Sequence, residues 1–163
     1  KRLNIKEFIM NKAVATVLIA LMVGVMSMVS IHEGQAAFGL FGAHKKVKDV
    51  DGKIMIPLKK VDDGKAHYFK YEQGGTTVNF FVVKSNDGVI RAAFDACDVC
   101  FPAKKGYTQD GDFMICNNCG RRFHSSRINV VEGGCNPAPL QREVIGDQLV
   151  IKTSDVIPGA RYF

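Results

Sequence analysis

Five cysteines carry the chemistry of this 163-residue sequence, and four of them form two C-x-x-C pairs, Cys97-Asp98-Val99-Cys100 and Cys116-Asn117-Asn118-Cys119, with fifteen residues between. A C-x-x-C turn points two thiolates to one side at ligand spacing, and two such knuckles face to face supply four sulfurs in a tetrahedral set. Structural zinc, an iron-sulfur cluster and a pair of disulfides in an oxidising compartment all use such sulfurs. A metal is favoured over disulfides, because C-x-x-C disulfides are redox motifs more than structural staples. Spacing alone points first to zinc.

The residues around the pairs refine this picture. Gly120 follows the second pair in Gly120-Arg121-Arg122-Phe123, where glycine permits a tight turn and the backbone amides can donate to a coordinated sulfur. The first pair runs into Phe101-Pro102 instead, so its turn must differ, and the Phe101 ring is placed to screen the site from water. Cys135, the odd cysteine, lies in Gly133-Gly134-Cys135-Asn136-Pro137-Ala138-Pro139, a bent, stiff loop suited to covering a site. It reads as a replaceable ligand, a resolving thiol or a small buried hydrophobe. His124, five residues beyond Cys119, is a candidate partner for a cluster sulfide or a thiolate, against the plainer reading of an exposed polar residue before Ser125-Ser126. His32, His44 and His67 have no mutual spacing that suggests a second metal site.

Other chemistries find no support. The sequence has no nucleophile-base pair, phosphate-cradling glycine loop or paired carboxylates, which removes hydrolase and transferase readings. The net charge is +6, but four of the cations, Lys1, Arg2, Lys6 and Lys12, precede a hydrophobic segment. The Lys45-Lys46-Val47-Lys48 cluster reads as a solvated linker, since nucleic-acid contacts need wider basic stripes, and no nucleic-acid partner is expected.

The elements that must position the cysteines read as β. Lys53-Ile54-Met55-Ile56-Pro57-Leu58, Ala66 to Tyr71, Thr76 to Val83 and Val89 to Phe94 are bounded by Gly or Asp-Gly punctuation, and the last delivers the chain to Cys97. Asp110-Gly111 turns the chain before Phe113-Met114-Ile115, Arg127 to Val131 reads as a further strand, and Arg142 to Ile145 pairs with Gln148 to Ile151 as a closing hairpin. No window of helical length has a 3.6-residue period. The expected fold is all-β, a small sandwich or barrel with two metal-binding knuckle loops, occupying residues 51–163.

Ahead of it lie an N-terminal targeting segment (1–36) and a linker (37–50). Ala13 to Ile31 carries no charge over nineteen residues, a length that can span a bilayer as a helix. Gly34-Gln35-Ala36 offers a small-residue cleavage pattern, so signal peptide and retained membrane anchor both stand, and Met10 reads as a natural start for either. The flanking positive charge keeps the N-terminal end in the cytoplasm and sends everything after Glu33 to the extracytoplasmic, periplasmic side.

Ala93 to Phe101, Cys116 to Phe123 and Gly133 to Leu140 together resemble the FtrD-like membrane iron-sulfur protein family. That resemblance implies a membrane-linked redox protein serving bacterial iron uptake beside membrane redox or transport subunits. Members often carry further membrane helices that this chain lacks, so it does not imply a permease. The order of knuckle, hairpin, second knuckle, proline-rich loop and closing strands is also similar to Rieske iron-sulfur domains. Those use Cys and His in each knuckle, whereas every matching position here is Cys, and Cys135 falls in the matching cover loop. The Rieske likeness implies Cys97 and Cys100 on one iron and Cys116 and Cys119 on the other, in an all-thiolate [2Fe-2S] centre. Four thiolates leave more negative charge than two thiolates and two imidazoles. The potential then falls from the Rieske range of roughly −150 to +300 mV toward about −400 mV.

Three function classes follow: an electron-transfer protein with an iron-sulfur cluster, which the resemblance favours; an interaction module of a membrane complex held by structural Zn²⁺; and a thiol-disulfide enzyme. The last fits least, because thioredoxin-type C-x-x-C pairs begin a helix and these are flanked by strand and turn signals.

Overall fold

The computed structural model describes residues 44–163. The hydrophobic segment at Ala13 to Ile31 and the cleavage pattern at Gly34-Gln35-Ala36 lie outside the described residues. Among the described residues no helix is long and apolar enough to cross a membrane.

Among the described residues ten short strands form three open sheets, mostly β as expected, and none of these sheets closes into a barrel. The central sheet has the order β1 (Lys45–Val47), β3 (His67–Gln73), β4 (Thr76–Lys84), β5 (Ile90–Phe94), with β1 parallel to β3 and the other pairs antiparallel. A second sheet sets β10 (Gln148–Lys152) between β2 (Lys53–Pro57) and β9 (Glu143–Ile145). The third is the meander β6 (Tyr107–Asp110), β7 (Phe113–Cys116), β8 (Arg122–His124).

Strand β4 explains this layering. Its run Phe80-Phe81-Val82-Val83 is fully buried on both faces, which a half-exposed strand would not tolerate. Successive side chains point to opposite faces. Phe80 and Val82 therefore join Ile54, Ile56, Leu149 and Ile151 of the second sheet in one core. Phe81 and Val83 join Tyr107, Met114 and Cys116 of the third sheet in another. The sheet that carries the second knuckle is packed on one face of the central sheet and the closing hairpin on the other.

Two stretches depart from the sequence expectation. Lys45-Lys46-Val47, inside the stretch read as linker, is an edge strand paired with Phe69-Lys70-Tyr71, and Lys46 forms an ion pair with Glu72. Two exposed lysines hide an edge strand from a hydrophobic-pattern reading, because edges are protected by such charges. Arg127 to Val131 is not a strand: a 3-10 turn at Ser125–Arg127 leads to Asn129 in a left-handed conformation. The Asn129 side-chain amide donates to the Ala92 carbonyl at 2.9 Å, beside the Leu140 amide at 3.2 Å, and anchors the turn to β5. The chain closes with a single turn of helix, α1 (Thr153–Val156), and a 3-10 segment to Tyr162.

Candidate metal centre

Strand β5 ends at Phe94, and the next three residues carry the first knuckle. Asp95-Ala96-Cys97 stays buried because β5 gains an extra partner: the Phe94 amide donates to the Ala138 carbonyl at 2.8 Å, and the Ala138 amide donates to Ala96 at 2.9 Å. The cover loop is thereby sewn to the strand that presents Cys97. The turn itself is closed by the Cys100 amide, which donates to the Cys97 sulfur at 3.1 Å. Phe101, predicted to shield the site, packs edge-on against Tyr162 at a centroid distance of 5.8 Å. The Tyr162 hydroxyl in turn donates to Asp98 at 2.7 Å, so the C-terminal segment braces the knuckle.

The second knuckle grows from the end of β7. The Cys116 amide donates to the Arg121 carbonyl at 2.9 Å and the Gly120 amide to the Cys116 carbonyl at 2.8 Å, which closes the turn. Asn117 holds it to the base of the hairpin, receiving from Thr108 Oγ1 at 2.9 Å and donating to the Lys105 carbonyl at 2.9 Å.

All five cysteines meet. The sulfurs of Cys97, Cys100 and Cys135 lie within 4.8 Å of one another, as do those of Cys100, Cys116 and Cys119. Cys100 belongs to both groups. Cys97 and Cys116 are buried, Cys100 and Cys135 half-buried, and Cys119 exposed. Burial pushes the Cys116 thiol up to about 11 and the Cys135 thiol up to about 12, since an apolar surround disfavours the thiolate. At Cys119 the backbone N–H of Arg121 stabilises the thiolate and brings it down to about 7. The turn residues after the second pair thus supply the amide donor expected of them.

His124 is placed elsewhere. It pairs with Phe113 at the far end of β7 from Cys116, and its Nδ1 engages Ser126 Oγ at 2.7 Å, so its polar atom is spent within its own turn. It belongs to neither sulfur group. His44 is the histidine that comes to the site: its Nε2 pairs with the buried Asp95 carboxylate at 2.9 Å.

Three further residues build the centre without having stood out in the sequence. Asp95 accepts the Tyr107 amide at 2.7 Å, tying the first knuckle to β6. The Tyr107 hydroxyl donates to the Cys135 carbonyl at 2.7 Å. Burial, reinforced by contact with the Cys97 sulfur, raises its pKa and keeps that hydroxyl protonated. Gly106 lies against Asp95 at a positive φ of 62°. Gly106-Tyr107 at the base of a hairpin was the available signal, but a glycine before a strand marks many turns. Only the contact with Asp95 distinguishes it.

The donor set is uniformly soft. Thiolates select Zn, Cu(I) and iron-sulfur groups over hard cations, and a cavity of about 220 Å³ opens onto Cys97, Cys100 and Cys116 beside His44, Asp95 and Tyr162. These residues fit a thiolate-held metal group in donor chemistry and available space.

Fold and site together define a small, mostly β protein built around clustered cysteines that could hold a metal. The family described as "Membrane iron-sulfur containing protein FtrD-like" matches residues 61–163, and the chain belongs to that family. Among solved structures, the chain is similar to the quaternary ammonium Rieske monooxygenase CntA, solved in complex with an inhibitor. The identity is 15% and the TM-score 0.41, over 61% of this chain and 30% of that one. The chain therefore spans less than a third of that enzyme's length. No curated protein matches the chain.

Proposed function

We propose that this protein is an extracytoplasmic iron-sulfur protein, tethered to or released from the membrane by its N-terminal segment, that passes single electrons to or from membrane subunits of an iron-uptake system. The observation that carries the reading is the convergence of the cysteine sulfurs in two groups sharing Cys100, in a chain of a membrane iron-sulfur family. Cys97, Cys100, Cys116 and Cys119 would hold the group, with [2Fe-2S] the favoured form. Such a group supplies one-electron redox chemistry when bound. The chain's own residues have the tasks of holding and insulating it. Cys97 and Cys116 anchor it in the core, Tyr107 keeps the cover loop in place, and exposed Cys119 gives it an edge near solvent through which a partner can exchange electrons.

Anaerobically purified protein is expected to contain iron and acid-labile sulfide, visible charge-transfer bands and a paramagnetic reduced state. Colourless protein with one equivalent of zinc would refute the reading. That outcome would support the alternative, a structural zinc module of a membrane complex. It is favoured by one observation: Cys100 lies as close to both cysteines of the second knuckle as ligands of a single ion do. Chelation would then unfold the domain.

A further inference from the structure

The site has one more sulfur than a four-thiolate centre uses, and the surplus is not incidental to the packing. Cys135 Sγ lies 3.9 Å from Cys100 Sγ, and both are within 4.8 Å of Cys97. The loop that brings it there is held from three sides. The Tyr107 hydroxyl grips its carbonyl at 2.7 Å, Asn136 turns back onto the Gly133 carbonyl at 3.0 Å through its side chain, and Ala138 pairs with Ala96 at 2.9 Å. Pro137 is fully buried. A merely space-filling cysteine needs none of this bracing.

Resting on the thiolate-centre reading above, we propose that Cys135 is a fifth metal ligand, interchangeable with Cys97 beside Cys100. In the exchange, the incoming Cys135 thiol releases its proton to water as its sulfur binds, and the departing Cys97 thiolate takes one up. Charge and coordination number are unchanged. Cys116 has no such reserve: its sulfur group holds only Cys100 and Cys119, both already ligands. The structure thus makes the ligands unequal: Cys97 has a substitute at hand and Cys116 does not.

The test is a set of alanine variants reconstituted anaerobically with iron and sulfide, read by bound iron and sulfide per chain and by absorption. Cys135→Ala and Cys97→Ala are each expected to retain most of the metal of the unaltered protein. The double variant Cys97→Ala/Cys135→Ala and the single variant Cys116→Ala are expected to lose at least tenfold against a competing chelator. Equal loss in Cys97→Ala and the double variant, or retention by the double variant, overturns the proposal. Because Cys97 is buried, Cys97→Ser is made in parallel and folding is checked by circular dichroism. Retention by either folded variant counts for the proposal. If neither folds, a Cys135 that alkylates at the same rate with and without bound metal counts against it. The same series loaded with Co²⁺ separates the two claims: thiolate-to-Co²⁺ bands that survive Cys97→Ala but not the double variant uphold ligand exchange even if the unaltered chain refuses iron and sulfide, an outcome that defeats only the iron-sulfur reading.

Discussion

Gly106→Ala should damage the support of the centre out of proportion to its size. A Cβ at this position would fall 2.5 to 2.7 Å from the Asp95 carboxyl group, closer than real contacts allow. The carboxyl would have to leave a place where it accepts the Tyr107 amide at 2.7 Å and pairs with His44 at 2.9 Å. The left-handed backbone adds about 1–2 kcal/mol for a residue with a Cβ. Losing a charge-assisted hydrogen bond, with the amide left buried, adds about 1.5–3 kcal/mol. Roughly 2.5–5 kcal/mol in total corresponds to a fall in Tm on the order of 10–20 °C for a domain of this size. Gly111→Ala is the matched control. It lies in the same hairpin at a φ of 56°, with nothing within 4 Å of the added carbon, so only the backbone cost of about 1–2 kcal/mol applies. Thermal melts of the three metal-free proteins by circular dichroism measure the difference. Metal retention against a chelator then tests the link to function, since Asp95 is two residues from Cys97 and holds β6 to the first knuckle. If Gly106→Ala costs no more than Gly111→Ala, the structural role assigned to Asp95 is wrong.

In metal-free protein at pH 7, iodoacetamide should modify Cys119 first, with a rate that rises through about pH 7. Peptide mapping that finds Cys116 or Cys135 labelled ahead of it would contradict the environments assigned to these thiols. Phe80→Ala and Phe81→Ala should each cost about 3–5 kcal/mol, but only Phe81→Ala should also loosen metal binding, because Phe81 packs against the sheet that carries Cys116; equal metal affinities in the two variants would argue against the layered arrangement. Asp87 forms two hydrogen bonds of 2.8 Å to buried Arg91, which hold its carboxyl below the usual carboxylate range. A depressed folded value means that this contribution is intact above about pH 4, the unfolded value, and is lost as the pH falls through the lower folded one. Denaturation midpoints from pH 6 to 3 should therefore fall more steeply for the unaltered protein than for Asp87→Asn.

How much of the site could be read from the chain alone depended on whether its signals were local. C-x-x-C spacing is a property of a single turn, so the candidate ligands Cys97, Cys100, Cys116 and Cys119 could be named before any fold was known. Strands β2 through β5 and the closing hairpin were legible for a similar reason: alternating or continuous apolar runs between Gly and Asp-Gly turns express local geometry. The expected strand at Arg127 to Val131 is a turn anchored by a contact remote in sequence, Asn129 to the Ala92 carbonyl 37 residues away. His124 was singled out by its distance from Cys119 along the chain. Along β7 and β8 that distance runs toward Phe113 and away from the sulfurs.

Local patterns along the chain established that soft metal chemistry was available, that the domain was mostly β and that a nineteen-residue uncharged segment preceded it. Tertiary structure decided which sulfurs meet: Cys135 approaches Cys100 across 35 residues, and His44 reaches Asp95 across 51. It also decided that β4 separates two cores. Spacing along a chain constrains only neighbours within a turn or a strand, whereas contacts across tens of residues depend on sheet pairing and on which face of β4 each side chain takes.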